Sequence, residues 1–236
     1  GRQYGKTTTL KALRSYLRTD YIVIGLDFQG NMSSEEFKNQ YKFSTAFINA
    51  ITKSLKRNKL HDFSSLIDKV NKEVAKFEND FGLVDLFAVL IDVCEDAPKS
   101  IVLIIDEVDQ ATNNQVFLDF LAQLRYYYLE RDEYETFQSV ILAGVHDIRN
   151  LKQKIRPDSE HKHNSPFNIA VPFDVEMSFS ADDIAGMLNE YEQDCQTGMN
   201  ISEMSQLIYE YTSGYPVLVS YLCKLIDEKI AGTEQF

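Results

Sequence analysis

The sequence predicts an α/β fold with a parallel sheet, followed by an all-helical C-terminal subdomain. Three observations predict it. Apolar runs of strand length recur at 21–28, 101–105 and 139–145, with helix-patterned segments between them, as in sheets whose crossovers are helices. The runs are almost unbroken rather than alternating, which suits strands buried on both faces. From Ser178 onward only helical periodicity remains.

Bulk properties narrow the class further. A chain of 236 residues suits one large domain or a domain with a small appendage. The expected division is a core over 1–177, carrying a helical insert at 33–80, and a helical lid over 178–236. A formal charge of −12 argues against a non-specific nucleic-acid surface, which needs clustered Lys and Arg, while leaving room for one local basic patch. Cys94, Cys195 and Cys223 are odd in number and far apart, so they read as reduced core thiols of a cytoplasmic protein. No apolar run approaches the length of a membrane span. The chain opens without Met and without a signal peptide, and a further strand is expected upstream of Gly1.

In chain order, Leu10, Leu13 and Leu17 share one face of a first helix over 6–18, ready to pack on a sheet. Tyr21–Phe28 is the first strand, and Gln29-Gly30-Asn31 a turn. A helix is predicted to start at Ser33–Glu36, with Phe43, Phe47, Ile48, Ile51 and Leu55 on its buried side. Lys56-Arg57-Asn58-Lys59 closes that segment, either complementing the helix dipole or touching a nucleic acid. Ser64–Asp80 and Leu83–Cys94 are further helices, the second stopped at Pro98. A long helix follows at Gln115–Arg131, then strands at Ser139–Val145 and Phe167–Phe173. The last helices begin at Ser180 and Ser202, and the third spans 217–230 with Pro216 at its favoured first position.

Two stretches carry chemistry. Gly5-Lys6-Thr7 closes the phosphate-loop pattern G-x-x-x-x-G-K-[ST], whose leading glycine would fall one place before Gly1. In that pattern Gly1, Arg2, Gln3, Tyr4, Gly5 and Thr8 wrap the phosphates with backbone N–H groups. Lys6 reaches the β- and γ-phosphates, and the Thr7 hydroxyl is a Mg²⁺ ligand. The helix behind it aims its electropositive end at the same anion. Downstream, Ile101–Ile105 runs into Asp106-Glu107, the Walker B pattern. Asp106 is placed at the strand's carboxyl end to hold Mg²⁺, and Glu107 to polarise an attacking water. Each motif alone is weak; a G-K-T opening a helix about a hundred residues before such a strand makes them corroborate each other. His146-Asp147 follows the next strand, in the place of either a γ-phosphate sensor or a loop and helix cap. Arg149, Lys152, Lys154 and Arg156 form a basic segment, and His161-Lys162-His163 lacks the further ligands a metal site needs.

The order of these parts resembles AAA+-related P-loop ATPases of the ASCE type, and more narrowly the bacterial AAA-like ATPases of the STAND signalling group. The residues that carry the resemblance are 2–8, Val102–Asp109, Val140–Asp147, 165–170 and Ser213-Gly214-Tyr215-Pro216. The resemblance implies that the strand ending at Val145 lies between the strand feeding the phosphate loop and the Walker B strand. It also implies that Gly214 and Pro216, matching a G-x-P motif, contact the nucleotide where other AAA+ proteins place a sensor arginine. The implied activity is slow, Mg²⁺-dependent ATP hydrolysis by a nucleotide-controlled switch, with a protein partner or self-association, without nucleic acid or membrane. The sequence departs from ordinary AAA+ in lacking a plain Asn or Thr sensor and an assignable arginine finger, which argues against ring-type cooperativity. An interaction scaffold or nucleic-acid-associated loading module, with structural or lost nucleotide binding, is the alternative reading.

Overall fold

A computed structural model describes residues 5–77, 79–111, 114–144, 169–171 and 177–229. The chain forms two compact units, Leu10–Val171 and a smaller one made of Gly1–Thr9 with Pro172–Phe236.

The larger unit is built on three parallel strands in the order β1-β2-β3: Ile22–Asp27, Ile101–Asp106 and Ser139–Leu142. Ile22 pairs with Ile101 through to Asp27 with Asp106, and Val102 with Ser139 through to Ile105 with Leu142. β2 is central and buried along its whole length, as its unbroken aliphatic run requires. β3 lies beside β2, on the side away from β1. β1 differs from the expected strand buried on both faces. Ile22, Ile24 and Leu26 are buried, Val23 and Gly25 only partly, and Asp27 is exposed. The reason is layering: one face carries the large core, while Val23 joins only a small cluster with Leu10, Leu17, Tyr21, Val102 and Ile104.

The large core is supplied by α3 (Gln40–Lys56), α4 (Ser64–Val74), α5 (Leu83–Glu95) and α6 (Gln115–Leu129). α3 follows α1 (Lys6–Leu17) and α2 (Phe28–Asn31) in the chain. Phe120 is at the middle of this core, fully buried, with ring centroids of Phe43, Phe47 and Phe87 at 5.2, 4.7 and 5.5 Å. Phe120→Ala is expected to cost about 3–5 kcal/mol, read as a lowered denaturant midpoint; a loss below about 1 kcal/mol would show that the cluster is not the core's keystone.

Several boundaries differ from the sequence reading, some of them for a local hydrogen-bonding reason. The predicted turn at 29–31 is α2, because the Asp27 carboxylate accepts from the Gln29 N–H at 2.9 Å and so caps a helical turn. Glu36 folds back to accept from the Ser33 N–H and hydroxyl, both at 2.6 Å, leaving only a 3₁₀ turn at Glu36–Lys38. α3 then starts behind Asn39, whose Oδ1 accepts from Lys42 N–H at 2.8 Å. α4 ends at Val74 and tightens to a 3₁₀ turn over Ala75–Phe77, short of the expected Asp80. α6 stops at Leu129, and β3 at Leu142. Of the strand expected over Phe167–Phe173, residues 169–171 form no strand and the others lie outside the described residues.

The smaller unit contains α7 (Ala181–Cys195), α8 (Ile201–Thr212) and α9 (Pro216–Lys229). α7 opens with a reciprocal cap: Ser180 Oγ accepts from Asp183 N–H at 3.1 Å while Asp183 Oδ2 accepts from Ser180 N–H at 2.8 Å. α8 starts behind Asn200, not Ser202, since Asn200 Oδ1 accepts from the Glu203 N–H. Among the described residues the buried core of this unit is small: Ile184, Leu188, Ile208 and Val219. Cys195 is exposed, which corrects the reading of all three thiols as core: it is the last residue of α7, where packing ends. Cys94 keeps the expected setting, and burial, reinforced by Glu135 and Glu95, pushes its thiol up to about 12. In the folded protein at pH 8, iodoacetamide should therefore modify Cys195 well before Cys94, as peptide mass mapping would record; equal rates would contradict the packing around Cys94.

Candidate functional site

In the larger unit, β2 delivers Asp106 to the carboxyl edge of the sheet, where ligands of parallel α/β sheets bind. Asp106 is buried, 6% exposed, and its Oδ1 accepts from the Glu107 N–H at 2.9 Å. Glu107 then takes a left-handed backbone, φ 54° and ψ 40°. For a residue with a Cβ this costs on the order of 1–2 kcal/mol. The surroundings hold it there. Val108 N–H donates to Ala143 O at 3.1 Å and Ala143 N–H to Ile105 O at 2.8 Å, strapping the exit of β2 to the exit of β3. Gly144 completes the strap, because a Cβ at that position would come within 2.9 Å of Asp109 Oδ2 and Val108 Cγ2.

This edge is acidic. Asp27, Asp106, Glu107 and Asp109 all lie at the strand exits, and no Lys or Arg occurs in 22–27, 101–111 or 139–144. Asp27 is committed to capping α2. Phosphates approach such an edge only with a cation between, which is the condition a bound metal satisfies. Asp109 and Gly144 fell within the stretches that carry the resemblance but were assigned no role there. The signal available for both was position alone, just past the ends of two adjacent buried strands.

In the smaller unit, Gly5 has φ +76°, a conformation that glycine adopts without strain, and a Cβ there would meet nothing within 4 Å. Backbone conformation, not space, is what position 5 requires. Thr9 N–H donates to Gly5 O at 2.9 Å and closes the first helical turn, so Lys6, Thr7 and Thr8 stand at the electropositive end of α1. The turn at Ser213-Gly214 ends α8 with φ 49° and 71° in succession. Gly214 N–H donates to Thr212 Oγ1 at 3.2 Å, and its carbonyl accepts from Phe179 N–H at 2.8 Å. A Cβ on Gly214 would fall 1.9 Å from Phe179 O. That close backbone approach gives Gly214 a structural requirement independent of any nucleotide. Pro216 takes the first position of α9, as predicted. Gly1, Arg2, Gln3, Tyr4 and His146 lie outside the described residues, as do the basic segment and the His161–His163 pair.

The donor chemistry fits Mg²⁺. Among the described residues no group of three or more His, Cys, Asp or Glu gathers into a cage. Magnesium needs none, taking one or two protein oxygens beside phosphate and water. The Asp106 carboxylate of the larger unit and the Thr7 hydroxyl of the smaller are each, taken alone, a hard oxygen donor of that kind.

Among the described residues no helix is long and apolar enough to cross a membrane. No curated protein matches the sequence. Among solved structures, the fold is similar to that of the Walker-type ATPase of Pyrococcus abyssi, at 17% identity and a TM-score of 0.60. The match covers 98% of this chain and 62% of that protein, so the chain spans less than two thirds of its length, and at this identity the likeness shows the fold alone. The profile of the family described as AAA-like domain matches residues 1–235. On that match over nearly its whole length, the chain belongs to the AAA-like domain family.

Proposed function

We propose that the chain binds ATP with Mg²⁺ and hydrolyses it slowly, as a nucleotide-controlled signalling switch of the STAND type. The observation that carries the reading is the exit of β2: a buried Asp106 followed by Glu107 in a left-handed conformation fixed from β3. Strained backbone held by its surroundings is a recurrent mark of functional positions. Membership of the AAA-like family and a Walker-type ATPase fold support the same reading.

In this reading Lys6 and the backbone from Gly1 to Thr8 hold the phosphates. Thr7 and Asp106 hold Mg²⁺, which supplies charge neutralisation when bound. Glu107 orients the attacking water and accepts its proton. Gly214 and Pro216 present the turn of the helical lid to the nucleotide, and His146 acts as γ-phosphate sensor. A lid that grips ATP more tightly than ADP would bias the binding of a protein partner, or of a second copy, by that difference in affinity. The test is phosphate release from Mg²⁺-ATP by the wild-type chain, and by a version extended upstream, each beside its Glu107→Gln counterpart. Slow release that the substitution abolishes supports the proposal. Absence of release and of ATP binding in both versions would favour the scaffold reading.

A further inference from the structure

The larger unit contains a cavity of about 690 Å³ between α1, β1 and the C-terminal half of α3 with the loop after it. Arg14, Arg18, Lys53, Arg57 and Lys59 line it, and among the described residues no Asp or Glu does. In a chain carrying 36 Asp and Glu against 24 Lys and Arg, that one-sided composition calls for a physical cause. None of the five cations makes an ion pair among the described residues.

Helix dipoles are the first candidate cause, because α1 and α3 both end at this cavity. Each C-terminus contributes about half a negative charge. Two such ends supply roughly one negative charge against five cations, so most of the positive potential is left over. A cavity lined by one sign of charge focuses that potential on whatever enters it. Arg14 adds a sharper observation. Its guanidinium lies against β1 at Gly25, where a Cβ would come within 2.5 Å of Cζ, and its Nε is buried without a hydrogen-bond partner. A charged group with an unsatisfied buried donor carries a desolvation cost.

We propose that this cavity is an anion site for a small, multivalent phosphate compound. Its volume falls within the roughly 300–1,000 Å³ of small-molecule sites. Among the described residues its lining contains no aromatic side chain, so they supply no stacking platform of the kind on which single-stranded nucleic acids are held. The overall charge of −12 also repels a long polyanion while tolerating a small one that is enclosed locally. None of the residues 5–8 or 106–109 lines the cavity, so this site is independent of the proposed nucleotide chemistry.

The test is calorimetric titration of inorganic tripolyphosphate into the full chain carrying Lys6→Ala, which disables the phosphate loop. The site should still bind, with affinity falling steeply as salt rises. Adding Lys53→Gln and Arg57→Gln, both exposed positions that leave the core untouched, should weaken binding roughly tenfold or more. Gly25→Ala, which displaces the Arg14 guanidinium, should weaken it as well. A labelled oligothymidylate and a polyglutamate peptide, titrated in parallel, should bind far more weakly. Absence of tripolyphosphate binding in the Lys6→Ala chain would overturn the proposal, as would binding indifferent to the charge substitutions. Tighter binding of either polymer through the same residues would overturn it too.

Discussion

Glu107→Gln is expected to leave Mg²⁺-ATP affinity within about twofold of wild type while lowering phosphate release about 10²- to 10⁴-fold, the usual contribution of a general base. Gln matches Glu in size and keeps a polar group at the same distance from the chain, so the left-handed turn at φ 54° carries the same strain in both. The straps from Val108 to Ala143 and from Ala143 to Ile105 use backbone atoms only. Thermal stability should therefore move little. What changes is proton acceptance: an amide cannot take the proton of the attacking water. Turnover within about threefold of wild type would remove Glu107 from the mechanism. Loss of binding together with turnover would assign it to holding the nucleotide instead.

Gly214→Ala is expected to destabilise the helical unit by about 2–5 kcal/mol, combining a left-handed conformation with a Cβ and overpacking against backbone. The collision is with Phe179 O at 1.9 Å, and a main-chain carbonyl, in a residue whose own N–H is tied to Gly214 O, cannot swing away as a side-chain tip can. The unit has little to spare, since among its described residues only four apolar side chains are buried in its core cluster. Limited proteolysis should show cleavage within 178–229 while Leu10–Val171 stays protected by its own larger core. Unchanged stability with weakened ATP binding would favour direct contact of the turn with nucleotide. Unchanged stability and unchanged binding would mean that the close approach carries no functional consequence.

Much of this was legible in the sequence because unbroken aliphatic runs are a strong signal. Ile101–Ile105 had no alternative to a doubly covered strand, and β2 is buried along its whole length. Proline at 216 and the Ser180–Asp183 pair fixed two helix starts through chemistry confined to a few residues. Elsewhere several side chains competed for the same backbone groups, and the sequence did not say which would win. The helix start expected at Ser33–Glu36 moved to Asn39, because Glu36 bonds Ser33 itself while Asn39 accepts from the Lys42 N–H. Asp27 read as the end of a strand until its carboxylate was seen capping the next turn. The acidic pair at 106–107 was visible as a motif, but the strap from β3 and the demand on Gly144 depend on strand adjacency, which one sequence read alone does not encode.

The central claim is that Lys6 and Asp106 act on one Mg²⁺-bound triphosphate. A double-mutant cycle tests it most directly: calorimetric affinities for Mg²⁺-ATP of wild type, Lys6→Ala, Asp106→Asn and the combined variant. Each single change should cost about 1.5–3 kcal/mol, as loss of a contact to a charged group does. The pair should be non-additive by roughly 0.5 kcal/mol or more, because both act through the same ligand. Strict additivity, or affinities that neither substitution changes, would contradict the account.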